Sequence, residues 1–231
     1  MISSSPRPHL LLAAMPNCVA LDIECAATGK GHNDLQPCWV VVVNEKLEEI
    51  LNIKVRVPRL YSPMTEFTGM TKFEIENAPY SLDEAIAKVK EVIDASTTIV
   101  GQAVYNDIGW LGLVQGIDFK DSVGIEEYFK KYNRKYGNYN YHSLYNTAYG
   151  LLNISMHPNG HHSPVEDCVV SMKLFSKYDT AGKREEAATK LQLMVFRKQF
   201  PKRRQPNKDG VCNGKYNAKL CTCGQPVVPR S

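Results

Sequence analysis

Residues 18–24 read Cys-Val-Ala-Leu-Asp-Ile-Glu, an apolar run that closes on two carboxylates, Asp22 and Glu24. Such a run reads as a buried strand. If the strand ends near here, its two-residue period puts both carboxylates on one face. Two anions held side by side are unfavourable unless a cation lies between them, so a divalent metal is a natural partner. Alone the pair is a weak signal, because acidic residues at strand ends are common. Working outward, residues 38–43 (Cys-Trp-Val-Val-Val-Val) form a second strand rich in β-branched side chains. Residues 49–57 alternate, with Ile50, Asn52, Lys54 and Arg56 on one side and Leu51, Ile53, Val55 and Val57 on the other, until Pro58 ends the run. Three strands in succession predict an antiparallel meander.

The period then changes. Ser81 followed by Glu84 is a capping box, and Leu82, Ala85, Ile86, Val89, Val92 and Ile93 follow at helical spacing, predicting an amphipathic helix over 82–95. Thr97 to Val100 is a short β-branched strand, with Asn106-Asp107 opening the next helix. Helical spacing returns over 141–152, 165–178 and 183–200, where Pro201 stops it. Strands first, then strand alternating with helix, predict an α/β domain with a mixed sheet.

The chain of 231 residues is 43% hydrophobic and 23% charged, enough for a real core. Its longest apolar run falls short of the roughly 20 residues a membrane helix needs, so no membrane association is expected. Seven scattered cysteines without a convincing signal peptide predict a reducing intracellular compartment, cytoplasm or nucleus. The net charge of +4 hides an asymmetry: residues 182–231 carry 12 Lys and Arg against 3 Asp and Glu, and the rest is mildly acidic. That balance suits a folded domain with its own polyanion-binding segment, or simply a solvated tail.

Two further acids join Asp22 and Glu24. Asp107 follows the strand at 97–100 and Gly101, which permits a tight approach, and Asp167 lies on the predicted helix at 165–178 with His162 five positions before it. With these residues in place, Leu21-Asp22-Ile23-Glu24-Cys25-Ala26-Ala27-Thr28-Gly29 resembles the first motif of the DnaQ-like 3′–5′ exonucleases, in the subgroup whose fifth catalytic residue is histidine (DEDDh). Residues 100–107 resemble the second motif, and His162-Ser163-Pro164-Val165-Glu166-Asp167 the third. Thr68-Gly69-Met70-Thr71 and Lys120-Asp121-Ser122 are similar to two ancillary segments. The order most resembles the RNA-exonuclease and interferon-stimulated exonuclease branch, over about Val19 to Tyr178. Gln102 stands where that branch usually has histidine, and Cys25-Ala26 where a larger apolar residue often follows the glutamate.

The resemblance implies an RNase H-like mixed five-stranded sheet, an antiparallel meander followed by parallel strands, flanked by helices. It divides the chain into an N-terminal extension (1–17), an exonuclease domain (18–180) and a basic helix with a cysteine-containing tail (181–231). It also implies hydrolysis of RNA or DNA from the 3′ end with two Mg2+ or Mn2+ ions held by Asp22, Glu24, Asp107 and Asp167, Asp22 bridging both. His162 is then the general base, and Ile23, Cys25, Ala26 and Met70 lie near the terminal nucleotide, although core packing explains Met70 as well. A catalytically inactive module that binds 3′ ends, or an adaptor working through its tail, is the competing reading.

Two groups stand outside these motifs. Seven of the twelve tyrosines fall between Tyr128 and Tyr149, at four-residue steps that predict helical faces packing on the sheet rather than base-stacking platforms. Cys212, Cys221 and Cys223 offer three thiolates, one short of a structural zinc site; a histidine or another cysteine of the main domain would have to complete it. Residues 221–226 resemble the opening of a GRF-type zinc finger, a module longer than the remaining residues allow. Lys202-Arg203-Arg204 suits phosphate-backbone binding or nuclear import.

Overall fold

The apolar run at 18–24 becomes the central strand of a five-stranded sheet. The computed structural model describes residues 15–156, 163–194, 207–215 and 218–226. The sheet comprises β1 (Cys18–Ala27), β2 (Leu35–Asn44), β3 (Glu49–Lys54), β4 (Thr98–Gly101) and β5 (Asp121–Gly124), in the order β3-β2-β1-β4-β5. The first three pair antiparallel, and β4 and β5 join parallel to β1. Helices α1 (Thr65–Thr68), α2 (Lys72–Glu76) and α3 (Leu82–Lys90) link β3 to β4. Next come α4 (Tyr105–Trp110), α5 (Ile125–Tyr128), α6 (Leu144–Thr147), α7 (Pro164–Lys177) and α8 (Ala181–Leu193). A π-helical turn, Ala148–Leu152, extends α6. Two small hairpins pair β6 (Lys131–Asn133) with β7 (Asn138–Asn140), and β8 (Asn207–Lys208) with β9 (Val211–Cys212).

The alternation of β1 sorts the two layers. Val19, Leu21 and Ile23 pack with Val40, Val42 and the α3 residues Ala85 and Val89. Ala20 points the other way, with Val41 and Val43, onto Cys168 and Met172 of α7. A third cluster joins Ile125, Phe129, Leu144 and Leu151 to Ala187, Ala188 and Leu191 of α8. The first helix of the basic segment is therefore packed into the same body as the sheet. The expected capping box of α3 forms, Ser81 Oγ accepting from Glu84 N (3.3 Å) and Glu84 Oε2 from Ser81 N (2.8 Å).

Several local expectations are corrected. Helix α3 stops at Lys90, short of residue 95, and α6 starts only at Leu144, behind its cap Ser143. Helix α8 ends at Leu193, because Met194 turns to an extended conformation; residues 195–200 lie outside the described residues. The tyrosine run is helical only at its ends, with Tyr128 on α5, Tyr145 on α6 and Tyr149 on the π-helical turn; in its middle Tyr132 and Tyr139 face each other across the β6–β7 hairpin, ring centroids 5.3 Å apart, and Gly137 at φ +65° turns the chain between them. Four-residue steps there were a coincidence of composition, and Tyr132, Tyr136 and Tyr139 are exposed. Strand β5 went unread because Asp-Ser-Val-Gly holds one good strand former. Among the described residues no helix is long and apolar enough to cross a membrane.

Candidate active site

On β1, Asp22 and Glu24 share the face of Ala20, the face covered by α7, while Ile23 is buried on the opposite side. Helix α7 starts behind its cap Ser163, Oγ accepting from Glu166 N, and so carries Asp167 in its first turn. Carboxylate oxygens of Asp22, Glu24 and Asp167 all lie within 4.8 Å of one another. The strand itself is irregular here. Pairing with β2 shifts register between Glu24 and Cys25, leaving Cys38 as the extra residue, and the Cys38 thiol donates to the Glu24 carbonyl (3.3 Å). Such bulges bend a strand and re-aim its side chains.

Asp107 arrives from the far side of β1. Gly101 ends β4 against that strand so closely that a Cβ would lie 2.7 Å from the Leu21 carbonyl oxygen. Ala103 then takes a left-handed conformation (φ +54°), its N–H held by Glu126 Oε2 at 2.7 Å. A non-glycine residue in that region costs on the order of 1–3 kcal/mol and persists only where the surroundings impose it. The tight turn launches α4 and delivers Asp107, which is buried.

The electrostatics follow from this convergence. Burial pushes the Asp22 carboxyl well above its ordinary range, and the charges of Asp167, Asp107 and Glu24 push it further. Cys168, under the same cluster, is raised for the same reasons, burial first and then Asp22, Asp167 and Asp107. Carboxyl groups gathered this closely repel one another, and hard oxygen donors of this kind suit Mg2+ or Mn2+. Lys54 lies over the Trp39 ring, and burial draws its ammonium down to about 8 against the opposing charges of Cys38, Glu74 and Glu24. Sequence reasoning placed Lys54 on a strand face and saw nothing further in it.

The remaining predicted residues are distributed unevenly. Cys25 is half-buried and, with Glu24 and Trp110, lines a small cleft of about 90 Å3. Ala26 and Met70 are 0% and 2% exposed and pack together with Cys38, Val57 and Ile75, so their side chains present almost no surface to a ligand. Gln102 donates to the His142 carbonyl (3.4 Å). His162, one residue before the cap of α7, lies outside the described residues, as do Lys202, Arg203 and Arg204.

The tail cysteines are drawn together. Cys212, Cys221 and Cys223 gather around His32, from the turn between β1 and β2, with one donor atom of each within 4.8 Å of all the others. His32 had no signal in the sequence: 180 residues separate it from Cys212.

No protein-family model and no curated protein sequence matches the chain. Its fold matches solved structures. The Neurospora crassa Pan2 catalytic unit (protease and nuclease domain) superposes with a TM-score of 0.66 at 15% identity, over 80% of this chain and 31% of that one. The Saccharomyces cerevisiae Pan2 pseudoubiquitin hydrolase–RNA exonuclease module in complex with AAGGAA RNA gives 0.64 at 15% identity, over 80% and 33%. The same yeast module without RNA gives 0.62 at 15% identity, over 80% and 32%. The chain thus spans about a third of the length of these structures. At this identity the likeness shows the fold alone, the mixed five-stranded sheet flanked by helices that these structures share with this chain.

Proposed function

We propose that this chain is a metal-dependent 3′–5′ exonuclease that hydrolyses phosphodiester bonds of RNA or DNA from the 3′ end. The observation that carries the reading is the convergence of Asp22, Glu24 and Asp167 within 4.8 Å, with Asp107 close enough to raise the Asp22 carboxyl. These four residues would hold two divalent ions, Mg2+ or Mn2+. When bound, the pair supplies positive charge to the attacking and leaving oxygens of the phosphodiester. His162 takes the proton from the attacking water, a task suited to an imidazole with an intrinsic pKa of about 6.5.

Around that centre the chain's own residues seat the terminal nucleotide. Cys25 presents a half-buried small side chain in the cleft beside Glu24. Ile23 lines the same cleft, while Ala26 and Met70 act from behind, as the packed support that fixes the backbone of β1 and of the Gly69-Met70 turn. RNA is the favoured substrate, because the sequence motifs resemble the RNA-exonuclease branch and the similar yeast module was solved with RNA bound. The setting we assign is a reducing one, cytoplasm or nucleus, in keeping with seven free thiols.

Binding and turnover separate this reading from an inactive 3′-end binder. In single-turnover assays on end-labelled RNA and DNA, His162→Ala should bind with near wild-type affinity while its rate falls by roughly 10²–10⁴-fold. Wild-type turnover in that variant would remove His162 from the mechanism. Binding by the wild-type chain with no turnover on any substrate would replace the nuclease with the recognition module.

A further inference from the structure

The group formed by His32, Cys212, Cys221 and Cys223 has the dimensions of a metal site. His32 Nδ1 stands 3.1 Å from Cys223 Sγ and 3.8 Å from Cys221 Sγ, and the two sulfurs are 3.8 Å apart. A tetrahedron with metal–sulfur bonds of about 2.3 Å and a metal–nitrogen bond of about 2.0 Å has sulfur–sulfur edges of about 3.8 Å and sulfur–nitrogen edges of about 3.5 Å. A disulfide needs about 2.05 Å, and all seven cysteines are free thiols.

The surroundings orient the donors. His32 is 2% exposed, and an N–H on its Nε2 donates to the Pro226 carbonyl (3.2 Å), which leaves the Nδ1 lone pair turned toward the sulfurs. A metal-bound histidine commonly has its second nitrogen held in this way. Cys212 Sγ accepts from the backbone N–H groups of Gly214 (3.4 Å) and Thr222 (3.2 Å), bonds that favour a thiolate. Gly214 is required by space, since a Cβ there would lie 2.7 Å from His32 Nδ1 and 3.0 Å from Cys221 Cβ.

We propose that these four side chains bind one zinc ion, which fastens the segments 207–215 and 218–226 to the turn between β1 and β2. Three soft thiolates and an imidazole select zinc over the magnesium or manganese suited to carboxylates. Four protein ligands leave no open position, so the ion is structural. A belt of hydrogen bonds completes the junction: Gln225 Nε2 donates to Asp34 Oδ1 (2.7 Å), Asn33 N to Gln225 Oε1 (3.0 Å) and Cys212 N to the Lys30 carbonyl (2.9 Å). The first fastened segment has a place in the cleft. Val211 packs on Ala27 and Met64, and Val211 and Cys212 line the same small cleft as Glu24 and Cys25.

The test is a metal count on the full chain, purified with reduced thiols and without chelator, independent of any nuclease assay. Wild type should hold about one zinc per chain, and His32→Ala and Cys223→Ser should each fall below about 0.2, with Cys18→Ser as a control that keeps its zinc. Cobalt(II) in place of zinc should give the intense visible bands of a tetrahedral thiolate site in wild type and lose them in both variants. Should a variant fail to fold, the wild-type count and cobalt spectrum still decide. Less than about 0.2 zinc per wild-type chain, or a disulfide among the three cysteines under reducing conditions, overturns the proposal.

Discussion

Asp22, Glu24 and Asp167 hold carboxylate oxygens within 4.8 Å of one another, and at that distance two unit charges repel by about 0.9 kcal/mol in bulk water and about 3.5 kcal/mol at an effective dielectric of 20. Asparagine at position 22 keeps the shape and removes the charge. Asp22→Asn should therefore stabilise the protein in magnesium-free buffer. Because the carboxyl can escape part of the repulsion by taking up a proton, the gain should stay near the lower figure summed over two neighbours, roughly 1–2 kcal/mol. In saturating Mg2+ the order should reverse, since a ligand at 100 times its Kd adds about 2.7 kcal/mol to the form that binds it. For a chain of this size each kcal/mol moves Tm by about 2–4 °C. The pH dependence has a fixed sign. The folded Asp22 carboxyl keeps its proton to higher pH than the unfolded one, so wild-type stability falls as pH rises from the unfolded value of 3.8 toward the raised folded value. The variant lacks that fall. The assay is thermal unfolding followed by circular dichroism, with magnesium withheld rather than chelated, so that the tail cysteines keep any zinc. An Asp22→Asn protein less stable than wild type by the same margin in both buffers would refute the reasoning, and would make these carboxylates structural acceptors.

Three other outcomes are expected. Gly101→Ala forces a Cβ against the Leu21 carbonyl oxygen, a backbone atom that moves only with β1; stability should drop by about 1–3 kcal/mol, and activity should drop further because Asp22 is the next residue. Gly137→Ala, in a hairpin with open space around it, should cost stability through its φ of +65° and leave activity unchanged. Lys54 titrates near 8 when folded and at 10.5 in the ordinary case, so over that window the unfolded chain binds more protons and stability rises with pH. The difference between wild type and Lys54→Met in urea unfolding from pH 7 to 10 should grow accordingly, and a flat difference would show that burial of Lys54 is not felt.

How far the molecule could be read from its sequence depended on the range of the interactions involved. Strands β1 and β2 declare themselves through continuous β-branched runs, and α3 through a capping box and helical spacing, because those signals lie within a dozen residues. The four carboxylates were found by their order along the chain, although only folding brings Asp107 and Asp167 to β1. The short strand β5 and the hairpin at 131–140 escaped, the first because parallel pairing with β4 rather than its own composition makes it a strand, the second because tyrosine spacing mimicked a helix. His32 was the least legible residue. Its role depends on the tail folding back over the β1–β2 turn, a contact between residues nearly two hundred positions apart that no local pattern encodes.

The central claim is most directly tested by a time course on RNA and DNA labelled at the 5′ end, single- and double-stranded, with Mg2+ or Mn2+ present and withheld, and with Asp107→Asn beside wild type. The account predicts a ladder that shortens one nucleotide at a time from the 3′ end, faster on RNA, and absent without the metal or with the variant. Shortening that persists in the Asp107→Asn protein, or internal cuts without a ladder, would contradict it.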